Sequence, residues 1–387
     1  MPKRILYLPY KLNNQGYIVY PMRIPIGGGE LMWSRILDYL SKIPNLHVDV
    51  LIPENEKSEF NPASGSLEKV SYSTRKKGLE ETICKLISSR NYDVILTNYM
   101  SPGNLTTLMK NSNFTSKLVW ILHHPVKHAF ESFSAPLYGQ ISDVLDLGGR
   151  VYITDVGNCE DLFLDIYKRV RKNPYLKRPS EQLKFLNDER LRRFYIHKYE
   201  GHLKPSQEID DNWIAVGRCN WDQKRLHLAV KACQELGEKL KVFTTVSSVT
   251  DRRSSKPNRL EEFLKENQSD KIQVKFNAPR KELEEELPRA KGLIFTSAFE
   301  SSGGLVPFEA LTAGLPVVWK HPAADHFLEK SKYSVKVEGK YTAKNFMKAM
   351  QKVNFPSYQE RMAQHNFVKD FWSERKFKDR VEELVNI

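Results

Sequence analysis

Two carboxylates bracket a glycine pair in the run Phe295 to Trp319: Glu300 stands just before Gly303-Gly304, and Glu309 follows on the next turn of chain. The small polar residues Thr296-Ser297-Ala298 end an apolar run, so the glycines turn a strand into a helix that begins at Val306. The amino end of such a helix offers free N–H groups and partial positive charge to a phosphate. One carboxylate there can accept both hydroxyl hydrogens of a ribose, and the other can contact a sugar.

A second cluster lies in Trp213-Ile214-Ala215-Val216-Gly217-Arg218, followed by Lys224. The strand ends in Gly217 and delivers Arg218 and Lys224 into the next loop. Two fixed cations at a strand end suit a diphosphate and would neutralise it as it leaves.

Two weaker signals lie nearer the amino terminus. Gly27-Gly28-Gly29-Glu30 opens the amphipathic stretch Leu31 to Leu40, where Gly28 and Gly29 let backbone N–H groups approach an anion. Their spacing is not G-x-G-x-x-G, so a dinucleotide fingerprint is not supported. His123 follows the apolar run Leu118 to Leu122 and precedes His124-Pro125, which places it at the carboxyl end of a strand, where open α/β sheets bind ligands.

The elements that must position these residues follow from periodicity. Short apolar runs at Ile5–Leu8, His47–Ile52, Val94–Thr97, Leu118–Leu122 and Val151–Thr154 alternate with helix-length segments, the pattern of a parallel sheet with crossover helices. Residues 160–204 break it with a basic, aromatic tract interrupted by Pro174 and Pro179, which reads as two helices joined by a turn. The polar segment Lys204 to Asp211 fits an interdomain linker.

Alternation then restarts, with strands at 213–216, 241–246, 272–276, 292–296 and 316–319, and helices at 225–236, 280–287 and 306–313. The apolar spacing of Phe367, Phe371, Phe377, Val381 and Leu384 gives one or two closing helices. The fold class is therefore α/β, with two doubly wound domains: an amino-terminal domain over 1–207, a second over 208–365, and a closing helix over 366–387.

Bulk properties agree. A chain of 387 residues exceeds one hydrophobic core. No stretch approaches the about 20 apolar residues of a membrane span, and no signal-peptide core precedes Ile5, so a cytoplasmic location is expected, that of the host if the source is viral. Four scattered cysteines, Cys84, Cys159, Cys219 and Cys233, signal neither zinc nor a disulfide framework. The net charge of +13 points to a polyanionic partner, either nucleic acid or an anionic membrane surface. Oligomeric state is not legible.

The Phe295–Trp319 run resembles the donor-site signature of retaining GT-B glycosyltransferases of family four, a paired-glutamate motif followed by a helix and a Gly-x-Pro-Val-Val strand. The stretch Val274 to Leu283 and the tail Phe371 to Phe377 are similar to that family's neighbouring segments. The resemblance implies a GT-B fold, two Rossmann-like domains facing a central cleft, and a nucleotide-diphosphate sugar as co-substrate, UDP-sugar favoured over GDP-sugar, with no cofactor and no metal.

It further implies that Arg218 and Lys224 bind the donor diphosphate, Glu309 the ribose and Glu300 the transferred sugar. Gly28, Gly29, Gly217, Gly303, Gly304, Leu305 and Val306 would line the donor, and His123 would sit beside the sugar hydroxyls. One departure stands out: eight residues separate the two glutamates where the family has seven, which bears on the role of Glu300. Catalysis in this family comes mainly from positioning and diphosphate stabilisation, with retention of configuration.

The acceptor is the open question. Lys168, Arg169, Arg171, Lys172, Lys177, Arg178, Arg192 and Arg193, interleaved with Tyr167, Tyr175, Phe185, Phe194 and Tyr195, suit phosphates and stacked bases. A helical hairpin with a solvated cationic face reads the same tract equally well. A second resemblance is to bacteriophage enzymes that glycosylate hydroxymethylcytosine in DNA, carried by Trp213–Arg218 with Trp221 and Lys224, and by Pro316-Val317-Val318-Trp319-Lys320. Duplex DNA is thereby the favoured partner. A transferase at an anionic membrane surface building a glycolipid or polysaccharide, and a non-catalytic nucleic-acid-binding scaffold, are the alternatives.

Overall fold

Strands such as Ile5-Leu6-Tyr7-Leu8 and Ala215 with its neighbours are apolar on both faces, so they must be covered on both sides. That requirement shapes the computed structural model, which describes residues 3–8, 11–12, 18–19, 28–53, 67–72, 83, 85–97, 117–122, 136–154, 188–194, 197–246, 259–298, 300 and 303–386. The chain divides into two units, Met1–Ile196 with Arg375–Ile387, and His197–Glu374.

In the first unit the strands of the main sheet are β1 (Lys3–Leu8), β2 (Leu46–Pro53), β3 (Leu67–Tyr72), β4 (Val94–Thr97), β5 (Lys117–Leu122), β6 (Arg150–Ile153) and β7 (Leu191–Arg193). They form one sheet in the order β3-β2-β1-β4-β5-β6-β7, every pair parallel. Helix α1 (Gly28–Ser41) crosses from β1 to β2, and α2 (Pro136–Asp146) from β5 to β6.

The second unit repeats the scheme. Its strands are β8 (Asn212–Arg218), β9 (Lys239–Thr245), β10 (Ile272–Phe276), β11 (Gly292–Phe295), β12 (Val317–Trp319) and β13 (Val335–Lys336), ordered β10-β9-β8-β11-β12-β13 and all parallel. Its longer helices are α3 (Leu226–Leu236), α4 (Arg259–Glu266), α5 (Arg280–Glu286), α6 (Leu305–Thr312), α7 (Ala343–Met350) and α8 (Tyr358–Phe371).

Side chains alternate along β8, and the alternation makes two cores. Trp213 and Ala215 join Ala229 and Cys233 of α3 and Phe346 of α7 on one face. Ile214 joins Leu283 of α5, Phe308 and Leu311 of α6, and Val368 of α8 on the other. In each unit the chain moves outward from the first strand in one direction, then returns and moves outward in the other. The reversal leaves a crevice at the carboxyl ends of β8 and β11 in the second unit.

Two expectations change, and a third is borne out. Leu191–Arg193 is an edge strand paired with β6, where residues 160–204 were read as a pair of helices; three residues of extended chain suffice to complete the sheet edge. The segment 204–211 is docked on the second unit, with Ser206 N donating to Pro288 O at 3.2 Å and Asp210 N to Arg289 O at 2.7 Å. The tail is two helices, α8, started by a capping box of Ser357 and Glu360, and α9 (Glu374–Val385).

Residues 375–387 count with the first unit. Phe377 meets Tyr39 edge-on at 5.4 Å between centroids, and Glu383 accepts from Tyr152 at 3.3 Å and pairs with Arg192 at 2.5 Å.

Between α6 and β12, Gly314 has φ of 71°, and a Cβ there would lie 2.7 Å from both Cβ and the carbonyl oxygen of Arg361. Arg361 is 1% exposed and donates to the Ala313 carbonyl at 3.2 Å. Gly314→Ala should therefore destabilise the protein by about 2 kcal/mol or more, from backbone strain plus overpacking. An unshifted urea midpoint would contradict this account of the turn.

Candidate functional site

The crevice at the ends of β8 and β11 is built by a loop tied down at both sides. The Asn220 carbonyl accepts from Lys224 N at 3.0 Å and Arg225 N at 3.3 Å, and its side-chain Oδ1 accepts from Gln223 N at 2.8 Å. From the end of β11, Thr296 Oγ1 donates to Lys224 O at 2.6 Å, and Ala298 N donates to Gln223 O at 2.7 Å. Lys224 is thus fixed by its own backbone rather than by its long side chain.

That side chain lies across Gly217. A Cβ on Gly217 would fall 3.1 Å from Lys224 Cβ and Cγ and 3.2 Å from Cδ, so glycine is what leaves the lysine room to lie flat on the strand. Its ammonium forms an ion pair with Glu300, the two side chains being only 14% and 16% exposed. Burial, and then the charge of Arg218, pull the Lys224 ammonium down from its usual range to about 7. The Glu300 carboxylate acts against this by favouring the charged form.

Opposite stands the turn into α6. Gly303 and Gly304 have φ of 77° and 80°, and a Cβ on Gly303 would meet Ala323 O and Ala324 Cα at 2.6 Å. Gly304 caps the helix with no side-chain hydrogen bond, and Pro307 has no N–H, so Leu305 and Val306 supply the free donors of the first turn. Behind the turn, His197 Nε2 lies 3.3 Å from Gly304 O and packs on Phe308 and Phe327.

Glu309, one turn further into α6, is 1% exposed and pairs with Arg280 Nη2 at 2.6 Å. Arg280 also reaches Glu284 at 2.8 Å. Burial disfavours its charge, yet Glu309 and then Glu284 outweigh burial and raise its pKa. The carboxylate expected to hold a ribose is therefore oriented by a guanidinium that the sequence reading passed over. Arg280 opens α5 directly after Asn277-Ala278-Pro279, and its cation at a helix start gives no signal of the partner on α6.

The structure thus brings Gly217, Arg218, Lys224, Glu300, Gly303, Gly304, Leu305, Val306 and Glu309 into the second unit around one crevice. Gly28 and Gly29 form the first turn of α1 in the first unit, as a glycine start to that helix requires. His123 and the tract residues Lys168, Arg169, Arg171, Lys172, Lys177 and Arg178 lie outside the described residues. Arg192, expected as an acceptor ligand, is engaged with Glu383, and Arg193 is in β7 beside it. Among the described residues no group of three His, Cys, Asp or Glu side chains could hold a metal ion.

Two more aromatic groups edge the loop. Trp221 stacks on His227 at 3.9 Å with Arg259 4.0 Å over the indole. Tyr341 donates to Ser297 O at 3.1 Å, with Arg225 4.7 Å and Lys320 5.4 Å from its ring. Arg218, Arg225 and Lys320 have no carboxylate partner among the described residues.

His227 and His321 are both held near 4, by burial first. The unfolded chain takes up these protons near pH 6.5, whereas the folded one resists until about pH 4. Stability should therefore be lost as pH falls across that window, by at most about 1.4 kcal/mol per pH unit for each histidine and less for partial exposure. Urea midpoints from pH 7 to 4 test this, and His227→Gln should flatten the slope.

Against known proteins, residues 194–330 match the family described as "Family 4 Glycosyltransferase in conflict systems". No curated protein matches in sequence. Sucrose-phosphate synthase from Thermosynechococcus elongatus superposes with a TM-score of 0.69 at 13% identity, covering 99% of this chain and 98% of that one. The Escherichia coli protein titled "Trehalose-6-phosphate", bound with UDP-2-fluoro glucose, gives 0.65 at 12% identity, covering 100% and 99%. Anabaena HepE in complex with UDP gives 0.63 at 13% identity, covering 98% of each chain. The fold is that of the GT-B glycosyltransferases, and the likeness to the family 4 model is confined to residues 194–330.

Proposed function

We propose that the protein is a retaining glycosyltransferase that moves a sugar from a nucleotide-diphosphate sugar to a hydroxyl acceptor, with the donor held on the second unit. The observation that carries this reading is the convergence of Lys224 and Arg218 with the uncapped amino end of α6 at the point where the strand order reverses. Cations and oriented N–H groups in a partly dry crevice stabilise a departing diphosphate without having to reorganise.

In this reading the diphosphate competes with Glu300 for the Lys224 ammonium, and Glu300 is freed to meet the transferred sugar. Glu309, oriented by Arg280, accepts the ribose hydroxyls. UDP is the favoured nucleotide because two structures of the same fold hold UDP or a UDP-sugar. Charge neutralisation is assigned to Arg218, Lys224 and α6. Gly28 and Gly29 are assigned to the donor phosphates and His123 to the sugar hydroxyls, and acceptor binding to the amino-terminal domain.

For the acceptor we favour duplex DNA bearing a hydroxymethylated base, of the kind bacteriophages carry. The support is the net charge of +13 and the cations Arg218, Arg225 and Lys320 beside the crevice, which have no carboxylate partner among the described residues. An anionic membrane surface is the competing source of the same charge complementarity.

Lys224→Ala and Glu309→Ala should each lower turnover by on the order of a hundredfold or more, through lost leaving-group and donor contacts. Near-wild-type kcat/KM in both proteins would remove the donor site from this crevice. A screen of UDP- and GDP-sugars against hydroxymethylcytosine-containing duplex DNA and anionic lipid vesicles, following nucleotide diphosphate release, separates the acceptors. DNA-stimulated release is expected; release stimulated only by vesicles would replace DNA with a lipid-linked acceptor.

A further inference from the structure

The turn after β12 carries a side chain whose hydrogen-bonding capacity is only half used. His321 caps the short helical turn Pro322–Ala324, its Nδ1 accepting from Ala323 N at 3.2 Å. An imidazole that accepts at Nδ1 is not the imidazolium, so its single proton sits on Nε2. That Nε2–H has no partner among the described residues.

The position of the turn gives this donor its meaning. Ala323 and Ala324, which follow His321, are the backbone against which Gly303 closes to 2.6 Å from a would-be Cβ. His321 is also near enough to Lys224 for the ammonium to lower its pKa, in addition to burial, while Asp325 acts the other way. Asp325 itself is held by Trp319 Nε1 at 2.8 Å and Lys336 at 2.5 Å. The imidazole therefore caps the turn whose backbone closes on Gly303, just before the start of α6, and accepting at Nδ1 it is uncharged.

We propose that His321 is a donor-site residue whose Nε2–H binds a phosphate oxygen of the donor's diphosphate, working beside Lys224 as a neutral hydrogen-bond donor. This rests on the donor-site reading above. A neutral donor adds a directed contact to the diphosphate without adding a third cation to repel Lys224 and Arg218.

Two substitutions separate this role from turn capping. His321→Asn keeps an acceptor for Ala323 N but is too short to place a donor where Nε2–H stands. His321→Gln reaches that position but gives up the cap geometry. Calorimetric titration with UDP, GDP and ADP identifies the nucleotide that wild type binds, and the matching nucleoside serves as the phosphate-free control. Thermal unfolding reports on the cap.

The expected result is that His321→Asn weakens the diphosphate by roughly tenfold or more, as for a lost hydrogen bond to a charged group, leaves the nucleoside unchanged, and unfolds near the wild-type temperature. His321→Gln should retain most of the diphosphate affinity. Wild-type diphosphate affinity in His321→Asn, or equal losses for diphosphate and nucleoside, would overturn the assignment. Absence of binding of all three diphosphates to wild type would instead defeat the nucleotide-sugar reading itself.

Discussion

The architecture of the crevice depends on keeping one ammonium group out of water. Lys224 is nearly enclosed, and an unpaired buried charge would shed its proton or its position. Each neighbouring element limits that outcome. Gly217 gives the stem a surface to lie on, Thr296 and Asn220 fix its backbone from two sides, and Glu300 supplies the opposing charge. The same four residues come from the ends of β8 and β11 and from the loops they launch. The strand-order reversal puts these ends side by side, and nothing else in the sheet could bring them together.

Helix α6 is the second part of the same arrangement. Its amino end is bare of side-chain caps, so its electrostatic field acts outward instead of being spent locally. The turn that aims it is clamped from behind by His197 and from the side by Ala323 and Ala324. An ion pair between the buried Glu309 and the partly exposed Arg280 then ties α6 to α5 across the same face of the sheet. Removing Arg280 would leave the Glu309 carboxylate buried and without this partner, which is costlier than never having had either.

Much of this was legible in the chain itself. The apolar run Val94–Thr97 announces its strand because a doubly covered parallel strand has no polar face to hide it. Leu67-Glu68-Lys69-Val70-Ser71-Tyr72 gives no signal because its apolar residues are too few and too irregularly spaced to form a run, and Leu191-Arg192-Arg193 because it is short and charged. Helix α7 was missed because Phe346 and Met350 are too few to set a period without the sheet they cover. At the site, Gly217, Lys224 and the double glycine were readable from spacing. Arg280 and His321 were not, since their significance lies in contacts with residues far along the chain.

The return of residues 375–387 to the first unit has a consequence for how the protein is made. On the ribosome, residues of the first unit emerge early, but Phe377 and Glu383, which cover Tyr39, Tyr152 and Arg192, are synthesised only after the entire second unit. The first sheet must wait, with part of its surface bare, while another domain is translated and folds. Domains that fold as they emerge usually do so in order from the amino terminus. Here the later domain can be finished first, and the nascent chain is most exposed to misassembly and chaperone capture through its earliest-made half.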